Sequence, residues 1–243
     1  ATHTYAYDPE PFGVSSEPGS GSTIMSYAGF VSGENMQRHS DPYFHYHSIQ
    51  DVESYVDNVS CHSNVNSINQ KPTVSAGDDF YIPKGTAYYL EANGFDLDND
   101  NLTYCWEQLD SGQVDASNFG PELLTGSINR SIPPSDNKIR YIPGISEILN
   151  GNLTPSNPTL FSSWETVSNV ERTLTWGVTV RDRSESNPNG MGQISQDVKK
   201  IFVTATAGPF KITSNDSSDI IWKSGSNQKI IWDVANTNRP PIN

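Results

Sequence analysis

Ser22-Thr-Ile-Met-Ser-Tyr-Ala-Gly29 sets a methionine and a tyrosine two residues apart among small residues. Serine, alanine and glycine let the backbone turn tightly, which suits a loop seating Met25 beneath a neighbouring group with Tyr27 beside it. On composition alone the stretch is equally an ordinary apolar turn. A second group is Asp96-Leu-Asp-Asn-Asp-Asn-Leu102, in which Asp96, Asp98 and Asp100 alternate and Glu107 is the twelfth residue counted from Asp96. That nearly spells an EF-hand loop, but Asn101 stands where glycine is wanted. An extended run from Leu102 would also carry Glu107 about 23 Å beyond Asp100 at roughly 3.3 Å per residue. Two readings stay open: a simpler calcium-binding turn made by the three aspartates, or a hairpin turn closed by Asx hydrogen bonds. His45-x-His47 would present both rings on one side of a strand and chelate a metal there, or else lead into a helix.

Several stretches resemble a known family. Ser22–Gly29 resembles the Met-turn of metzincin peptidases, in which a methionine side chain floors the zinc site. Their zinc motif is H-E-x-x-H-x-x-G-x-x-H, and the opening Ala1-Thr-His3 resembles its end, with Ala1 and Thr2 between the glycine and the last histidine. The resemblance implies that His3 is the third zinc ligand, with the first two ligands and the general-base glutamate ahead of residue 1. It further implies that Tyr27 stands near the metal, as the tyrosine of astacins and serralysins does. Ser40–Ser48, Leu102–Gln108, Gly208–Thr213 and Ile230–Asn238, taken in order, are similar to the C-terminal half of bacterial reprolysin-type secreted peptidases. Asp96–Gln108 also resembles the strand-turn-strand opening of polycystic-kidney-disease-type modules, which would place Trp106 in a core.

The bulk properties agree with an extracellular β-rich chain. Hydrophobic residues make up 34% and aromatics 10% of 243 residues, with Asn, Ser, Thr, Gly and Pro filling the balance. The formal charge of −13 leaves no basic cluster to release counterions from phosphate, so nucleic acid is excluded as a partner. No run approaches the roughly 18 apolar residues that cross a bilayer. Cys61 and Cys105 are the two cysteines. They pair with each other, or Cys61 pairs elsewhere, and the sequence leaves both open.

Three segments must position these residues. Residues 1–70 hold one predicted helix, Ser48–Asp57, with Ile49, Val52, Tyr55 and Val56 at helical spacing, Ser48 as N-cap and Asp51 in a capping-box position. From 71 to 206, short alternating runs predict strands at Phe80–Pro83, Ala87–Ala92, Leu102–Gln108, Arg172–Arg181 and Asp197–Ala205. Leu174, Trp176, Val178 and Val180 share one face, and Leu102, Tyr104, Trp106 and Gln108 another. Residues 118–158, rich in Pro, Ser and Asn, read as a long, partly ordered insertion. Residues 207–243 read as two strands, Phe210–Thr213 and Lys229–Val234, too few to stand alone: they dock on the preceding sandwich or, the preferred reading, open a further module.

The expected fold class is therefore mainly β: an antiparallel immunoglobulin-like β-sandwich (71–206), preceded by the small α-containing C-terminal subdomain of a metzincin catalytic domain (1–70) and followed by the first strands of a further module (207–243). The expected function is that of a fragment of a secreted zinc endopeptidase acting on protein or peptide substrates, with zinc as cofactor and calcium as a second ion. Without the H-E-x-x-H helix the fragment alone is expected to be inactive. The alternative is a non-catalytic surface-binding or adhesion sandwich, recognising cell-surface or matrix glycans through an aromatic platform of Tyr88, Tyr89, Trp164 and Trp222. Its counterpart is that these rings are core.

Overall fold

A computed structural model describes residues 15–61, 63, 68–182, 191–214, 217 and 219–242. In chain order the elements are α1 (Tyr46–Asp57), β1 (Thr73–Ser75), β2 (Phe80–Pro83), β3 (Tyr88–Glu91), β4 (Asn93–Phe95), β5 (Leu102–Gln108), β6 (Ile139–Ile142), α2 (Ile145–Leu149), β7 (Arg172–Asp182), β8 (Ile194–Thr204), β9 (Lys211–Ile212) and β10 (Trp232–Asp233). The chain is mainly β, with antiparallel and mixed sheets.

The largest sheet runs β2-β8-β7-β5, and β1-β4, β3-β6 and β9-β10 form three two-stranded sheets. Its pairs are antiparallel except β2 with β8, which is parallel and sets Phe80 opposite Ile201. The expectation of a wholly antiparallel sheet is thus corrected. The long intervening chain supplies the crossover that parallel neighbours need.

Period-2 alternation builds the core. Leu174, Trp176, Val178 and Val180 are all within 1% of complete burial. They pack with Ile82, Leu90, Ala92, Trp106, Ile142, Ile201 and Val203, so residues of β3 and β6 cover the inner face of the large sheet. Each large apolar side chain removed from water contributes about 1.5–3 kcal/mol. On β5 the expected single buried face gives way to two: Cys105, Trp106, Glu107 and Gln108 are all buried. Tyr43, His45 and Ser131 lie against its outer side.

The segment expected to be a partly ordered insertion, 118–158, supplies Ser131 and β6 to this cover. It holds β6, α2 and part of a second core, in which Val114, Phe119, Ile128 and Trp164 close around Met36. Two arginines stake it down. Arg140 donates to Glu165 at 2.7 Å, and Arg172 donates to the carbonyls of Leu123 (2.9 Å) and Gly126 (2.7 Å). Met36 belongs to the N-terminal part of the chain, so the two parts share this core.

Helix α1 begins earlier than its predicted N-cap. His45 occupies the cap, its Nδ1 accepting from the His47 amide at 3.2 Å, while Ser48 is buried in the first turn. Tyr46 then sits on β7 at Gly177, where an added Cβ would come within 2.6 Å of the tyrosine ring. The buried residues of the helix, Tyr46, Ser48 and Ile49, all lie in this first turn. Ile49 is buried, but Val52, Tyr55 and Val56, expected on the same apolar face, are exposed. Beyond β8, β9 and β10 pair antiparallel with Ile212 opposite Trp232, and Ile221, Trp222, Ile231 and Trp232 stay exposed.

Candidate functional site

The Ser22–Gly29 turn is held by a carboxylate that the sequence reading did not single out. Glu17 is 1% exposed. Its Oε1 accepts from the amides of Ser22 (2.9 Å) and Thr23 (3.1 Å), and its Oε2 accepts from the Thr23 hydroxyl (2.7 Å). Backbone bonds complete the loop: Tyr27 N–H donates to Ser20 C=O at 2.9 Å, and Ile24 N–H to Tyr43 C=O at 3.0 Å. Gly19, at φ +55°, brings the chain so close that a Cβ would meet the Trp164 ring at 2.7 Å. The turn is rigid beneath and open above, leaving Met25 and Tyr27 48% and 40% exposed. The fully buried methionine is Met36 instead. His3 lies outside the described residues.

Behind the turn runs a buried polar relay into β5. The Tyr43 hydroxyl donates to Ser131 Oγ at 2.6 Å, and that hydroxyl donates to Glu107 Oε1. Glu107 Oε2 accepts from the Tyr46 amide at 2.8 Å, and His45 Nε2 stands 3.9 Å from Oε1. Ser22 Oγ reaches the Ser131 carbonyl at 3.3 Å, tying the turn to the same relay. Burial, reinforced by Cys105 and Glu107, pushes the Tyr43 hydroxyl well above its ordinary range. Burial and then Glu107 raise the Cys105 thiol likewise. Tyr43 and Cys105 therefore stay protonated near neutrality, and the Tyr43 hydroxyl remains a hydrogen-bond donor. The one sequence signal for it was a charged residue, Glu107, inside a strand without any other.

His45 and His47 stack at 5.6 Å but turn to different partners, His45 to Glu107 and His47 Nε2 to the Leu109 carbonyl at 3.5 Å. Burial and the neighbouring His45 hold His47 below its ordinary pKa. Both cysteines are free, Cys61 exposed and Cys105 buried with Sγ 3.3 Å from the Ile132 carbonyl. The four-ring platform does not form. Trp164 is core, and the Tyr88 hydroxyl accepts from Trp176 Nε1 at 3.2 Å, whereas Tyr89 and Trp222 are exposed on β3 and in the C-terminal segment.

The aspartates do come together. Asp96, Asp98 and Asp100 each place a carboxylate oxygen within 4.8 Å of the others. Glu107 lies buried on the outer side of β5, in the relay, and takes no part.

Residues 1–55 match the family described as metallo-peptidase family M12B, reprolysin-like. The matched region covers the Met-turn-like loop and most of α1, under a quarter of the 243 residues. It marks this part as metallopeptidase-related, a family that uses zinc and acts on proteins or peptides. No curated protein and no solved structure matches the chain. Among the described residues no helix is long and apolar enough to cross a membrane.

Proposed function

We propose that the polypeptide carrying this sequence is a secreted zinc endopeptidase of the metzincin type, to which residues 1–70 contribute the lower wall of the active site. The observation that carries this reading is the overlap of the reprolysin-like match with a loop braced from below by Glu17 and exposing Met25 and Tyr27. In this reading His3 would be the third ligand, Met25 would line the floor of the site, and Tyr27, exposed on the same turn, would face the substrate. The chain's donors fit zinc in kind, an imidazole and a phenol. They fall short in number, since no H-E-x-x-H occurs in the 243 residues. Zinc, when bound, supplies a Lewis acid and a water acidified to near-neutral pKa.

Within such a site, Tyr27 donates its O–H to the oxygen on which negative charge develops as the peptide carbonyl is attacked. One preorganised donor of that kind is worth about 2.7–4 kcal/mol. A loop fixed by three bonds to a buried carboxylate costs little reorganisation at that moment. Residues 71–206 form an appended immunoglobulin-like or polycystic-kidney-disease-like sandwich in this reading, supported by Trp106 at 3% exposure, and 207–243 open a further module. The 243-residue chain by itself is inactive.

The test is turnover of a denatured protein substrate by the native polypeptide and by the isolated chain. Chelator-sensitive cleavage by the former, reduced about 100-fold or more in Tyr27→Phe, supports the reading. Chelator-sensitive turnover by the isolated 243 residues overturns it.

A further inference from the structure

The turn from β4 to β5 gathers three like charges, none of them in an ion pair among the described residues. Asp96 is 5% exposed. Its Oδ1 accepts from the amides of Asp98 (2.9 Å) and Asp100 (3.0 Å), which shapes the turn. Its Oδ2 is buried and has no hydrogen-bond partner among the described residues, and the same is true of Asp100 Oδ2. A buried acceptor left without a donor costs about 1–3 kcal/mol, and more when it is charged. A water molecule would offer two hydrogens and leave the mutual repulsion in place. A cation answers both deficits.

The donor chemistry selects the cation. All the donors are oxygens, which suits a hard ion better than zinc, whose sites draw mainly on nitrogen and sulfur. Calcium binds oxygen at about 2.3–2.6 Å, so two ligands across one ion stand up to about 5 Å apart. The spacing of 4.8 Å or less lies within that reach.

We infer that Asp96, Asp98 and Asp100 bind one calcium ion and that the ion fastens the segment entering β1 to the end of the large sheet. Asp98 Oδ2 accepts from the Gln70 amide at 2.6 Å. The neighbouring Asn69 donates through Nδ2 to Asp182 Oδ2 at 2.9 Å, and Asp182 pairs with Leu102 at the start of β5. Fixing Asp98 therefore fixes the backbone at Gln70, where the chain passes from the α1 region to the sheet. This inference is independent of the zinc reading.

Calorimetric titration of calcium into the chelator-stripped 243-residue chain tests it, with hydrogen exchange at the Gln70 amide read in parallel. One ion per chain is expected, with a Kd on the order of 10⁻⁴–10⁻³ M as in extracellular modules, and slower exchange at Gln70 once calcium is added. Asp96→Asn weakens binding roughly tenfold or more and abolishes the calcium effect at Gln70. Asp100→Asn, which leaves the Asp96 turn intact, does the same should Asp96→Asn fail to fold. Absence of binding at several-millimolar calcium, or unchanged affinity in a folded variant, overturns the inference.

Discussion

Replacing Glu17 tests whether the exposed turn is held from below. In Glu17→Ala the amides of Ser22 and Thr23 and the Thr23 hydroxyl lose their acceptor in a place where all three residues are at most 1% exposed. Each stranded donor costs about 1–3 kcal/mol. The wild-type carboxylate, however, bears a desolvation penalty that the variant escapes. Setting one against the other leaves a loss of about 3 kcal/mol. Glu17→Gln keeps one oxygen for the two amides but sets an NH2 donor where Oε2 accepts from the Thr23 hydroxyl, so it costs about 1–2 kcal/mol. For a chain of this size 1 kcal/mol moves Tm by about 2–4 °C, so Glu17→Ala should melt about 6–12 °C lower. Urea unfolding gives the free energies, and hydrogen exchange at Ser22 and Thr23 shows whether the loss is local. A Glu17→Ala cost below about 1 kcal/mol, or one equal to that of Glu17→Gln, would refute the bracing argument.

Trp164→Ala opens the second core around Met36 and should cost about 3–5 kcal/mol. In a double-mutant cycle with Met36→Ala the two losses fall short of additivity by at least about 0.5 kcal/mol, whereas independent folding of the two parts predicts additive values. His47 is held below its ordinary value of 6.5, first by burial and then by His45, so the unfolded chain takes up the proton first. Its contribution is complete above pH 6.5 and is lost as pH falls through that value towards the lowered native pKa, and His47→Gln should flatten this part of the stability profile. Thiol titration of the native chain should show Cys61 reacting quickly and Cys105 only in denaturant, because burial raises the Cys105 pKa and shields its sulfur. Two fast thiols in the native state would contradict that placement.

The parts legible in the sequence were those with a short period. Thr173–Val180 alternates, and its apolar members are all at most 1% exposed. The alternating aspartates marked their own turn, although the two partnerless oxygens depend on how the backbone amides of Asp98 and Asp100 point. The second core was illegible because Met36, Val114, Phe119, Ile128 and Trp164 are isolated apolar residues spread over more than a hundred positions, with no period to join them. Composition made that region look loose, while single residues such as Arg140 and Arg172 make it tight. At α1 the amphipathic pattern revealed a helix but not its start, since a histidine accepting through Nδ1 is an unusual cap. Glu17 was overlooked for a related reason: a glutamate before Pro18-Gly19 reads as a surface turn until its oxygens are found on amides five and six residues ahead.

In the proposed zinc site, His3 is the ligand that this chain contributes. Metal analysis of the native polypeptide, with and without His3→Ala, measures it directly. One zinc per chain in the wild type and loss of most of it in the variant, with the fold intact by circular dichroism, is the result the account requires. Full zinc occupancy in His3→Ala, or a wild-type protein that cleaves its substrate without zinc, would contradict it.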